Sequence, residues 1–281
     1  MIQALVIVIA LAGQVQPNAS ISGKDLDDSE RLVLQKYYLK TASEYSIDLG
    51  AKRDRKLSLH QQPILTYLNA VTAYMSYGQL FVWTLDNRPE AVGILWSRRY
   101  GNDRYAIHSF HSLSLDPLRA ERNGAVFWSP KEAGIKPIEI PDAPTPAEKP
   151  QLRLAQMRSL AREFGFTTHQ GTTSRTPRLI PQPVYRFVSD DGPEDGALFM
   201  WVDDWDPELL MFIEVRKTSS VPKWHVGFAR LSNLTLSVQY KGKSLWEFTP
   251  NVAEPPLGGP NLPYYSVHNV ERIPMHEDTP N

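Results

Sequence analysis

The sequence predicts an internally duplicated α+β fold: each half one helix followed by an antiparallel β-meander, the two forming a barrel- or sandwich-like body. Three observations carry that expectation. Residues recur at a fixed displacement of 118 positions. A stretch of helical periodicity opens each half. The remainder of each half reads as Val-, Ile-, Phe-, Tyr- and Trp-rich strands, spaced roughly 8–12 residues apart with no helix between them.

The recurrence sets Gly78-Gln79-Leu80-Phe81-Val82-Trp83 against Gly196-Ala197-Leu198-Phe199-Met200-Trp201. The same step carries Asp86 to Asp204, Pro89-Glu90 to Pro207-Glu208, Arg98 to Arg216, Phe110 to Phe228, Gly124 to Gly242 and Trp128 to Trp246, without a gap. Upstream, a slip of two sets Gln62-Pro63-Ile64 against Gln182-Pro183-Val184, the trace a loop insertion leaves. The chain thus divides into a signal peptide and lead-in over 1–23, a repeat unit over 24–130 and a proline-rich linker over 131–150. A second unit over 151–249 and a proline-rich tail over 250–281 complete it.

The leading segment has no charged side chain from Met1 to Gly23, and Ile2 to Ala12 is almost wholly apolar. That run is too short for the roughly twenty residues that span a bilayer. It has the length of a signal-peptide core, and Ala10-Leu11-Ala12 supplies a small-x-small cleavage pattern. Export to a periplasmic or extracellular space is therefore expected, with no transmembrane helix in the mature chain.

In the first helix, over Asp28 to Tyr45, Leu34, Tyr38, Ala42 and Tyr45 share one face. In the second, over Gln151 to Phe164, Leu154, Met157, Ala161 and Phe164 do the same. Thr145-Pro146-Ala147-Glu148 reads as its capping box, although Pro150 moves the regular start towards Gln151. Strands are expected near 45–49, 57–60, 64–68, 79–85, 91–98, 104–115 and 124–128. Their counterparts fall near 164–168, 177–180, 184–188, 197–203, 209–217, 223–231, 234–240 and 244–248. Asp86-Asn87-Arg88-Pro89 and Asp204-Trp205-Asp206-Pro207 read as matching turns. Several strands are apolar on both faces, as Leu209 to Val215 is, which requires cover on both sides. The linker and tail, dense in proline, read as extended straps rather than elements.

Composition narrows function mainly by exclusion. The chain has 42% apolar and 22% charged residues and a net charge of −1, so it folds but carries no electrostatic footprint for nucleic acid. With no cysteine, disulfides, Cys-ligated zinc, iron–sulfur clusters and thiol catalysis are excluded. No HExxH, GxSxG, P-loop or dinucleotide fingerprint is present, so no cofactor and no resident metal are expected.

The residues singled out for chemistry are few. His108 and His111 lie three apart in a strand, where such positions point to opposite faces; at helical spacing they would suit a metal. Glu214 sits in an apolar strand and needs a cationic partner, for which Arg186, Arg216 and Arg230 are the choices. Trp83 with Trp201 and Trp128 with Trp246 recur and read as core. Trp96, Trp205 and Trp224 do not recur and read as surface candidates for a protein or carbohydrate partner. Asp203 to Glu208 spaces oxygens like part of a calcium loop but lacks its glycine, and reads as a turn.

Phe81-Val82-Trp83-Thr84, Arg88-Pro89-Glu90-Ala91-Val92 and His108 to Ser114 resemble an uncharacterised family of exported planctomycete bacterial proteins, as do Leu154 to Arg162 and Asp206 to Glu214. The resemblance implies export and supplies no activity. The expectation is therefore an exported, non-enzymatic binding or structural protein, with a site where the halves differ or meet. The alternative is a metal-dependent or hydrolytic enzyme using His108 or His111 with Glu214.

Overall fold

The long strands bury both faces, and that fact organises the chain. The computed structural model describes residues 26–52, 54–69, 76–101, 103–188, 195–217, 221–250 and 258–275; the expected signal segment lies outside them. Helix α1 (Asp28–Ser43) starts on a capping box in which the Asp27 side chain accepts from the Glu30 N–H and Glu30 reaches back. After it come β1 (Tyr45–Leu49), β2 (Arg55–Lys56), β3 (Ser58–Leu59), β4 (Leu65–Asn69), β5 (Ser76–Leu85) and β6 (Arg88–Tyr100). The half continues through β7 (Asp103–Ser112), β8 (Leu118–Arg122) and β9 (Ala125–Trp128), and β10 (Ile138–Glu139) lies in the linker.

The second half opens with α2 (Pro150–Arg162), whose N-cap is Lys149, without a side-chain cap. The Thr145 capping box does not form, because Pro150 takes the first helical position and the chain before it is extended. Beyond it lie β11 (Phe164–Gln170), β12 (Thr173–Arg175), β13 (Arg178–Leu179), β14 (Tyr185–Val188), β15 (Asp195–Asp203) and β16 (Asp206–Arg216). Next are β17 (Lys223–Arg230), β18 (Thr235–Tyr240) and β19 (Lys243–Phe248), with β20 (Tyr264–Val267) and β21 (Arg272–Ile273) in the tail.

The α+β expectation is overturned. The protein is mostly β, at 54% strand against 13% helix with two helices, so it is a β-rich fold and not a duplicated helix-plus-meander. The strands of each half leave the meander to form two antiparallel sheets. A large sheet runs β3-β5-β6-β7-β20, with β4 also on β5 and β21 on β7; a small one runs β2-β1-β8-β9. The small sheet needs β1 to pair with β8, Ile47 opposite Ala120, across the entire length of β2 to β7. Counting spacings in sequence cannot reveal such a closure. In the second half the orders are β13-β15-β16-β17-β10, with β14 on β15, and β12-β11-β18-β19.

Alternation assigns the faces. Leu80, Val82, Val92 and Ile94 of the first large sheet meet Leu198, Met200, Leu210 and Phe212 of the second in one shared core. The intervening residues, Phe81, Trp83, Leu95 and Phe110, face outwards under α1 and the first small sheet. Phe199, Trp201, Met211 and Phe228 do the same under α2 and the second. Two large sheets thus pack face to face, each covered outside by a helix and a small sheet. No helix among the described residues is long and apolar enough to cross a membrane.

The straps are elements after all. Strand β10 pairs with β17 of the second half, and Ile135 and Ile140 around it are buried. Strands β20 and β21 return from the second half to pair with β7 of the first. Each half is therefore edged by the stretch of chain beyond the other or between the two.

Candidate functional site

Two seams form where the large sheets run past each other, and their chemistry follows from strands β6 and β16. The inner face of β6 reads Glu90, Val92, Ile94, Trp96, and that of β16 reads Glu208, Leu210, Phe212, Glu214. The apolar middles make the shared core. The ends emerge at opposite seams. The start of β6 meets the end of β16 at one, and the start of β16 meets the end of β6 at the other.

At the first seam Glu214 finds its partner. Arg88 grips it with two bonds, Nε to Oε2 at 3.0 Å and Nη2 to Oε1 at 3.2 Å, and reaches Glu90 through Nη1 at 2.7 Å. Arg216 adds a bond to Glu214 Oε1 at 2.7 Å, and the Arg88 guanidinium lies 4.9 Å from the centre of the Phe212 ring. Of the three arginines expected near Glu214, only Arg216 is there. Arg186 is held by Asp195 at 2.8 Å, in a buried triad with Arg153, and Arg230 packs between the rings of Phe248 and Tyr264. Arg88 comes from the opposite half, so strand spacing alone could not nominate it. The cavity here is about 340 Å³, lined by four cations (Arg55, Arg88, Arg216, Lys217) and three carboxylates (Glu90, Asp116, Glu214).

At the second seam the 118-residue step puts Asp206 where Arg88 stands, Glu208 where Glu90 stands, and Trp96 where Glu214 stands. The ion pair has no counterpart. Two adjoining cavities of about 210 and 480 Å³ share Asp206 and Glu208 in their walls. The first is walled by Trp96, Arg98, Tyr264 and His268, the second by Arg175, Asp203 and Asp204. Four carboxylates here face two arginines.

Glu208 is the residue that sequence reasoning passed over. It is 8% exposed, and its Oε2 has no hydrogen-bond partner. The Ser232 hydroxyl is near enough to favour the charged form, but neither atom completes a hydrogen bond. Burial pushes its carboxyl up to about 7, and Asp206 and Asp203 add to the rise. Asp206 is raised by burial too, although Asn69 Nδ2 donates to it at 2.6 Å. The only signal in the sequence was Pro207-Glu208 recurring from Pro89-Glu90 while the residue before it switched from arginine to aspartate.

Trp96 lines this groove. Its Nε1 donates to Ser109 Oγ at 3.4 Å, Arg98 lies 4.9 Å from its ring centre and His268 meets it edge-on. Tyr264 and Ser266 of β20 close the wall, with Ser109 and Ser266 sharing a 2.7 Å bond. Trp205 is 56% exposed on the adjoining hairpin, with Arg178 5.2 Å from its ring centre. Trp224 is not at the surface but buried under α2, where it faces Val215 across the sheet.

His108 and His111 are not brought together. His108 points outwards, Nδ1 2.7 Å from the Tyr45 hydroxyl, and burial pushes its imidazole down to about 3. His111 points to the inner side, Nδ1 bonding the Ser112 carbonyl at 2.7 Å, and burial lowers it likewise to about 3. Both are neutral at any physiological pH. Among the described residues no three His, Asp or Glu side chains are grouped to hold a metal ion. Comparison with protein-family models, with curated proteins and with solved structures finds no match to this chain.

Proposed function

We propose that this chain is an exported binding protein, not an enzyme, and that its ligand occupies the groove at the second seam. One observation carries the reading. Of two seams in corresponding positions, the first pairs its carboxylates with Arg88 and Arg216 beside its cavity, and the second has cavities beside a buried carboxylate with an unpartnered oxygen. A binding groove has that combination of concavity, an aromatic wall and a few convergent polar groups. Export is supported by the uncharged apolar segment over Ile2 to Ala12 and by the resemblance to an exported family. The histidine-based enzyme reading has no such support, because His108 and His111 face away from each other into packing.

The test is a thermal-shift screen of the chain against small amines, guanidines and soluble oligosaccharides, repeated with Trp96→Ala. A ligand at about one hundred times its dissociation constant stabilises the native state by roughly 2.7 kcal/mol. The reading expects at least one shift that Trp96→Ala abolishes. Shifts that survive that substitution, or a flat screen throughout, would remove the groove as the site.

A further inference from the structure

The first seam displays what the second lacks. There a guanidinium lies between Glu90 and Glu214, bonding both. At the second seam Glu208 stands where Glu90 stands, but Asp206 has taken the place of the arginine. Removing the cation and adding a carboxylate leaves a site whose own residues do not neutralise Glu208: it takes part in no ion pair among the described residues, and its Oε2 is unbonded. A buried carboxylate without a partner is unfavourable, and the chain keeps one beside open space.

We infer that the ligand of this groove carries a guanidinium or primary ammonium head, which takes beside Glu208 the place that Arg88 takes beside Glu90. The inference rests on the reading of the groove as a binding site. The cation on its aliphatic stem enters against Glu208 and Asp206, and the stem lies along the apolar wall of Trp96 and Tyr264. Ammonium and guanidinium heads are attracted to carboxylates by charge-assisted hydrogen bonds. A neutral sugar would leave Glu208 without a counter-charge.

The groups facing Glu208 set the pH dependence. Asp206 is on its own strand, Asp203 on β15 and Arg175 on β12. Tyr67 and Asn69 lie on β4, Ser232 and Arg230 around the end of β17, Arg98 on β6, and Tyr264 and His268 in the tail. Burial, with Asp206 and Asp203 adding to it, favours protonated Glu208 in the free groove, and a bound cation favours the ionised form. Binding therefore releases a proton and tightens as pH rises through about 7.

The experiment is calorimetric titration of the whole chain with agmatine, a dication with a guanidinium and a primary ammonium on one four-carbon stem, and with N-butylurea, a neutral molecule with a stem of the same length. A blocked Gly-Arg-Gly peptide and a neutral disaccharide complete the set. The expected result is agmatine binding without N-butylurea binding, weaker at acid pH and weakened on the order of tenfold or more by Glu208→Gln. Asp206→Asn is the second variant should Glu208→Gln fold poorly. Peptide binding tighter than agmatine identifies the source as a basic side chain of a protein; the reverse identifies a free amine. Equal binding of agmatine and N-butylurea, no agmatine binding, or agmatine binding indifferent to both substitutions would overturn the cationic ligand. Disaccharide binding lost in Trp96→Ala, with none of agmatine, would overturn it while sparing the groove. Any binding unchanged by Trp96→Ala and Glu208→Gln alike would sink both readings.

Discussion

Glu208 and Glu90 are the same residue type in corresponding positions, and their surroundings set them apart. Burial raises both carboxyls, but Glu90 keeps Arg88 at 2.7 Å whereas Glu208 rises from 4.5 to about 7. The folded chain therefore holds a proton that the unfolded chain releases between those two values. Stability from this residue is unaffected below about 4.5, falls as pH rises through the window, and is lowest above about 7. At about 1.4 kcal/mol per pKa unit, the full cost is about 3 kcal/mol. Glu208→Gln, with no proton to lose, is expected to be more stable than the parent by up to that amount at about pH 8. Urea unfolding at about pH 4 and pH 8 checks it: the two proteins should converge in acid, and parallel pH profiles would assign the destabilisation elsewhere. A residue kept at that cost is one expected at functional sites.

At the scale of elements, the two halves place the same irregularities at the same steps. The edge partner of β5 is broken between β3 and β4 around Gln62-Pro63, and that of β15 between β13 and β14 around Gln182-Pro183, because proline cannot donate to the ladder. Register shifts after Trp83 and after Trp201 bend the two central hairpins alike. Gly78 lies opposite Tyr67, and Gly196 opposite Phe187. A Cβ at Gly196 would come within 2.5 Å of the Phe187 ring, so Gly196→Ala is expected to cost about 1–3 kcal/mol in denaturant unfolding. Arg88→Met should cost more, about 3 kcal/mol or above, because it takes the cation from Glu90 and leaves Glu214 with Arg216 alone in a partly buried seam. Arg55→Ala, which breaks an exposed, solvent-screened pair with Asp116, should change stability far less than Arg88→Met; equal losses would mean the first seam is not held by its ion pairs. These local features were legible in the sequence, since glycine, proline and two-faced apolar runs report on the backbone that carries them. The sheet partners were not legible: β1 with β8, β10 with β17 and β20 with β7 are long-range pairings that leave no periodic mark. The candidate site was hidden for the same reason. Glu214 stands out on its own strand, but its pairing with Arg88 and the uncompensated burial of Glu208 depend on which half faces which.

For the whole molecule, the decisive feature is that one edge of each large sheet comes from outside its own half. The linker after the first half supplies β10 to the second sheet, with Lys223 bridging to Glu139 at 2.6 Å. The tail after the second half supplies β20 and β21 to the first sheet. There the Trp128 indole donates to the Leu262 carbonyl at 2.9 Å and Tyr37 bonds Glu271. The tail also walls the groove through Tyr264 and His268. Removing residues 250–281 therefore strips an edge from the first half, although the cut is made beyond the second. It would uncover the unpaired edge of β7, a site for aberrant strand pairing, and remove the buried side chains of Ile273 and Tyr264 from their packing. Hydrogen exchange on a chain truncated after Thr249 is expected to show protection falling first in β6 and β7, with β15 and β16 less affected. The intact chain should unfold in one transition, because the shared core of Val92, Ile94, Leu210 and Phe212 belongs to both sheets at once. Two resolved transitions, or loss of protection confined to the second half, would mean that the halves stand independently and the crossing strands are ornament. Under the crossing arrangement, a ligand bound against β20 stabilises the first sheet and the second together, so its thermal shift should grow with the integrity of the tail and vanish when the tail is removed.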